Sequence, residues 1–131
     1  MEAGRYAAGV RAERLLLALV AAILLGGCAK DLEREQRSRI AVRSLVAAPD
    51  HAVEGELNKV VALGHYALMD IEQVMHAAPV VGRLRLLRAM ERIGSPEAIP
   101  LLRFLALRDT DDAVRRRAAQ LARTLQRIAK K

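Results

Sequence analysis

The chain has 131 residues, with 22 lysines and arginines against 15 acids, a formal net charge of +7, one cysteine, two tyrosines, one phenylalanine and no tryptophan. That length suits one domain with one modest core. A lone cysteine excludes an intrachain disulfide, and a basic chain with so few rings to stack on bases is a poor nucleic-acid module.

At the N-terminus Arg5, Arg11 and Arg14 precede an apolar run over residues 15–25, which small residues follow. This is the order of a secretory signal. The run supplies eleven apolar residues before Gly26 and Gly27 interrupt it, where a membrane span needs roughly 20. A cleaved segment is therefore expected over residues 1–27. Leu25-Gly26-Gly27-Cys28 resembles the lipobox of bacterial lipoproteins. The resemblance implies an acylated Cys28 thiol, cleavage just before it, and attachment to the membrane through that lipid. Ala29, where lipoproteins held at the inner membrane usually carry aspartate, implies an outer-membrane address facing the periplasm. Residues 28–35 then form a lipidated, charged tether. Loss of Glu2, Arg5, Arg11, Glu13 and Arg14 with the signal leaves a chain that is still basic. For an exported chain, acidic envelope proteins or anionic envelope surfaces are the expected partners, not nucleic acid.

From Gln36 the chain repeats. Residues 41–46, Ala-Val-Arg-Ser-Leu-Val, match residues 101–106, Leu-Leu-Arg-Phe-Leu-Ala. Immediately downstream Pro49-Asp50-His51-Ala52-Val53 matches Thr110-Asp111-Asp112-Ala113-Val114. Between them Leu63-Gly64 matches Ile93-Gly94, and residues 67–71 match 98–102. The period is roughly 30 residues, as in helical solenoids.

Each unit reads as two helices. In chain order they fall at about 36–47, 51–63, 67–77, 81–93, 97–107 and 111–128, and the helices at 51–63, 81–93 and 111–128 form one equivalent set. Leu84, Leu87, Met90 and Ile93 recur every three residues, and Leu102, Leu105 and Ala106 follow the i, i+3, i+4 rule. Each helix thus has one stripe for a core. On the last helix that stripe is Val114, Ala118, Leu121, Leu125 and Ile128. Ser95 is placed to N-cap a helix whose first position is Pro96, and Asp50 and Asp111 to cap theirs. Gly64 and Gly94 stand where a helix closes in a left-handed residue, and Pro79 stops the preceding helix.

Residues 83–102, Arg-Leu-Arg-Leu-Leu-Arg-Ala-Met-Glu-Arg-Ile-Gly-Ser-Pro-Glu-Ala-Ile-Pro-Leu-Leu, resemble a HEAT repeat of the short bacterial type related to phycobilin-lyase repeats. Asp109-Thr110-Asp111-Asp112-Ala113-Val114-Arg115 resembles the Asp-rich turn that opens the next unit, while Met69 stands where that family often has proline, as Pro100 does here. The resemblance implies an all-α fold, a short α-solenoid of HEAT-like helical hairpins over residues 36–131. It also implies a binding scaffold, although some lyases share the repeat.

Neither a catalytic motif nor a metal motif is legible. His51, His65 and His76 are explained by a helix cap, a turn and a helix C-terminus, and Asp109, Asp111 and Asp112 by capping rather than a calcium loop. No cofactor or metal is expected, and no enzyme.

Two surfaces remain as binding candidates. In solenoids of this family the helices at 36–47, 67–77 and 97–107 line the concave side. There Arg43, Glu72 and Arg103 occupy equivalent places, with Ser44, Gln73 and Phe104 next along; the charges either pair with one another or face a partner, and Phe104 either packs between units or anchors a partner. The second surface is the last helix. Acids are absent after Asp112, while Arg115, Arg116, Arg117, Arg123, Arg127, Lys130 and Lys131 accumulate. Either this is the polar cap of a solenoid end or Arg116, Arg123 and Arg127 meet an anionic surface. The expected function is a lipid-anchored, non-catalytic adaptor for an envelope protein. An electrostatic module for anionic lipid or polysaccharide is the alternative, and a lyase-like enzyme a weaker one.

Overall fold

In the computed structural model, residues 3–131 are described. Met1 and Glu2, which open the expected signal segment, lie outside the described residues, as do the side chains of residues 3–8, Arg5 among them. The chain divides into two units, Met1–Glu35 and Gln36–Lys131. The described residues are all-helical, with α1 Ala3–Ala47, α2 Val53–Leu63, α3 Tyr66–Met75, α4 Val80–Ile93, α5 Ile99–Arg108 and α6 Asp112–Ala129. Single 3-10 turns at Asp50–Ala52 and Pro96–Ala98 lead into α2 and α5. Six helices were expected from the apolar spacing and the punctuation, and their ends agree to within two residues once those turns are counted, except that the first, expected from residue 36, is the end of a helix that begins at Ala3.

The first unit departs from expectation. Gly26 and Gly27 were expected to end the apolar run, yet α1 continues through both. Glycine costs a helix about 1 kcal/mol relative to alanine, too little for two of them to break a helix flanked by leucines and alanines on both sides. Gly9–Ala47 is accordingly long and apolar enough to cross a membrane by length and composition, a test that signal sequences also pass. Cys28 is exposed on this helix as a free thiol.

In the second unit, one core gathers the apolar stripes. Val42 and Leu45 of α1, Leu57 and Val60 of α2, Ile71 and Met75 of α3, Leu87 and Met90 of α4, Leu102 and Leu105 of α5, and Val114 and Leu121 of α6 belong to it. Helices α2, α4 and α6 neighbour one another in that order, α3 packs on α4, and α5 packs on α6. Ile128 is the exception among the expected core positions, being 58% exposed. It stands in the last turn of α6, and the buried stripe ends at Leu125.

The turns follow their local chemistry. Gly64 and Gly94 have φ of 59° and 68°, a region that side chains with a Cβ resist. Ser95 accepts a hydrogen bond from the Glu97 backbone N–H, Pro79 is the residue before α4, and Asp111 Oδ1 accepts from Val114 N–H at 3.0 Å. Asp50 does not cap. Pro49 occupies the N-cap position of the first 3-10 turn, and the Asp50 carboxylate instead meets Arg85 at 3.0 Å. That guanidinium also donates to the carbonyls of Leu45, Val46 and Ala48 at 3.3, 3.3 and 2.6 Å. Carbonyls at a helix end lack partners within the helix, so Arg85 satisfies the end of α1 from a position 37 residues away. Gly82 lets the same two elements approach, because a Cβ there would lie 2.7 Å from Val46 Cγ1.

Candidate functional site

Charge is distributed unequally over the second unit. Along the row of α2, α4 and the N-terminal half of α6 it is neutralised between neighbours. Arg88 and Arg92 pair with Glu54, and Arg92 also donates to the Asn58 side chain at 2.8 Å. Arg117 pairs with Glu91. Exposed pairs of this kind contribute at most about 1 kcal/mol each, but they occupy the cations of this row as far as Arg117, while Arg123 and Arg127 in the second half of α6 form no such pair with any described residue.

Residues 36–47 of α1, with α3 and α5, present the opposite pattern. Equivalent positions on the three helices hold Ile40, Met69 and Pro100, then Arg43, Glu72 and Arg103, then Ser44, Gln73 and Phe104, then Ala47, His76 and Leu107. The spacing i, i+3, i+4, i+7 makes these one face of each helix. All are exposed except Ser44, which is half-buried. Arg43, Glu72 and Arg103 form no ion pair or side-chain hydrogen bond with any described residue, so the rungs of the expected ladder do not pair. Phe104 neither fills the space between units nor stands alone. It is 49% exposed, and its ring meets that of His76 edge-on with centroids 5.8 Å apart. Ile40, Met69 and Leu107, at 65, 72 and 79% exposure, complete an apolar component that sequence reasoning missed. The repeat alignment could have found it, since these residues fall at the turns flanking the arginine rungs.

The Asp-rich turn is structural. Asp109 accepts a hydrogen bond from the Asp111 N–H at 2.9 Å and holds Arg83, whose Nη2 lies 3.3 Å from Oδ1 and whose Nε approaches Oδ2 to 3.2 Å without making a hydrogen bond. Arg83 donates to the Ala78 carbonyl at 2.7 Å, and Arg115 to the Asp109 carbonyl at 2.7 Å. Both arginines are the fourth residue of their helix and satisfy the carbonyls of the connection just before it. Their identical placement in α4 and α6 was the signal available in the sequence. Asp112 bonds Arg115 and faces Arg116, and these cations hold its carboxyl below the usual aspartate range. Ser38, fully buried, donates to Asp70, which also lies 3.9 Å from Arg39.

The remaining candidates separate in the same way. Arg116 is bound to Asp112 at 3.0 Å. Arg123 and Arg127, together with Gln126 and Lys130, line a shallow open cleft along the end of α6. His51 lies in the first 3-10 turn, while His65 precedes α3 with its ring 4.1 Å from that of Tyr66. Among the described residues no three His, Cys, Asp or Glu side chains group so as to hold a metal ion.

Comparison with protein-family models, with curated proteins and with solved structures finds no match to this chain.

Proposed function

We propose that this protein is a lipid-anchored, non-catalytic adaptor of the bacterial cell envelope. In this reading a short HEAT-like α-solenoid binds a partner protein through the exposed face of residues 36–47, α3 and α5. The observation that carries it is the contrast between the two rows of helices: charge is neutralised along α2, α4 and the N-terminal half of α6, whereas Arg43, Glu72 and Arg103 stand unpaired among exposed Ile40, Met69, Phe104 and Leu107. The repeat of about 30 residues and the adjacency of α2, α4 and α6 support the solenoid. An apolar strip flanked by cations suits a partner segment with an apolar ridge and acidic side chains. Signal-like residues 1–27 and the lipobox-like Leu25-Gly26-Gly27-Cys28 support attachment at Cys28, in an outer membrane and facing the periplasm.

Reversing two equivalent charges tests the face. Arg43→Glu together with Arg103→Glu is expected to repel an acidic partner and remove its crosslinked product from intact cells, with thermal unfolding unchanged because both sites are exposed. A crosslinking yield equal to that of the parent would reject the face.

Cys28→Ser removes the lipid acceptor. Labelled fatty acid is expected on the parent and not on the variant, which should stall as precursor or leave the membrane fraction. An unlabelled parent would end the lipoprotein reading while leaving the binding face intact.

A further inference from the structure

We infer that the exposed C-terminal half of α6 is a docking surface for anionic lipid headgroups, separate from the adaptor face and independent of lipidation at Cys28. The inference starts from how the structure sorts the cations of this helix. Arg115 and Arg116 are held by Asp112 and Arg117 by Glu91, so the N-terminal half is neutralised. The C-terminal half is not. Arg123, Arg127, Lys130 and Lys131 are exposed, and no acid follows Asp112 in the sequence. Nor do the elements packed on α6 supply one. Helix α5 has no acid, the sole acid of α4 is Glu91, already bound to Arg117, and the 3-10 turn contributes only exposed Glu97. Arg123, Arg127 and Lys130 recur at four and three residues, which places them on one edge of the helix, where with Gln126 they line the cleft.

The occupant follows from what lies beside these cations. Ile128, 58% exposed, stands next to Arg127 and three residues from Lys131. A helix with cations along one edge and an exposed branched apolar side chain bordering that edge, about 100° round from Arg127, fits a membrane interface, where headgroup phosphates meet the cations and the acyl boundary receives the apolar group. A soluble polysaccharide has no such apolar layer, and α6 has no aromatic ring to stack on bases.

The test uses the full chain with Cys28→Ser, so that a donor dye attached through Ala129→Cys sits at one position. The chain is reconstituted into vesicles of phosphatidylcholine, or of phosphatidylcholine with phosphatidylglycerol, each carrying an acceptor dye on the headgroups. Residues 15–25 associate with either vesicle, so the difference in energy transfer between them reports α6. Transfer is expected to be higher on the anionic vesicles and to collapse near 1 M salt, where screening acts within about 3 Å. Arg123→Gln, Arg127→Gln and Lys130→Gln combined should lower the docked-to-free ratio on the order of 100-fold, while Arg116→Gln leaves it unchanged. Equal transfer on the two vesicles, a triple variant that matches the parent with its helix content intact, or binding of dextran sulfate or RNA without any response to vesicles would overturn the inference.

Discussion

Leu102→Ala is expected to destabilise the second unit by about 2 to 5 kcal/mol, a large share of the roughly 5 to 15 kcal/mol that holds a small domain folded. Leu102 is fully buried in the single core, with Leu87, Met90 and Leu105 in the same cluster. Truncation removes one methine and two methyl carbons and leaves a void that close-packed neighbours fill only in part. Arg103, the next residue along α5, is exposed and unpaired, so Arg103→Ala should change stability by less than about 0.5 kcal/mol. Denaturant titration of both variants measures the difference. If Arg103→Ala were the costlier of the two, the assignment of buried and open faces on α5 would be wrong.

Asp109→Ala should be at least as damaging, at about 3 to 5 kcal/mol. The side chains of Asp109 and Arg83 are only 6% and 13% exposed, so removing the carboxylate leaves a guanidinium with one remaining carbonyl partner in a poorly solvated place. It also strips an acceptor from the Asp111 N–H, at the turn that starts α6. Asp109→Asn keeps that acceptor and loses only the charge, and is expected to cost distinctly less. Replacing both partners by apolar residues, Arg83→Met with Asp109→Leu, should recover part of the loss because no buried charge is left alone. A double-mutant cycle by chemical denaturation separates these terms. An Asp109→Ala variant as stable as the parent would mean that water reaches the pair freely and that the contact is no more than a surface bridge.

Particular elements show what could be read without coordinates. The boundaries of α4 and α5 were legible because Pro79, Gly94, Ser95 and Pro96 act on the backbone within one turn of where they stand, and an N-cap or a left-handed closure needs no distant residue. Core membership was legible for the same reason, since i, i+3, i+4 spacing selects one side of a helix whatever lies opposite. Ile128 failed because periodicity says which side a residue is on and not how far the neighbouring helices extend to cover it. Asp50 failed because a nearby guanidinium competed for its carboxylate, and that guanidinium, Arg85, lies 35 residues away. Gly26 and Gly27 interrupt the apolar run without ending the helix, because their local penalty is weak.

The candidate face divides along the same line. Arg43, Glu72, Arg103 and Phe104 could be aligned from the repeat, but their lack of partners could not, and neither could the exposure of Ile40, Met69 and Leu107. By itself the sequence determined an all-helical chain, the number of its helices, their caps and most of the buried stripe, because these depend on interactions within about one helical turn. Only the tertiary structure decided which charges cancel. Glu54 with Arg92 and Glu91 with Arg117 are 38 and 26 residues apart in the chain. Charges are screened beyond about 10 Å in salt, so whether an arginine is neutralised or left free depends on which acid the packed helices bring within that distance.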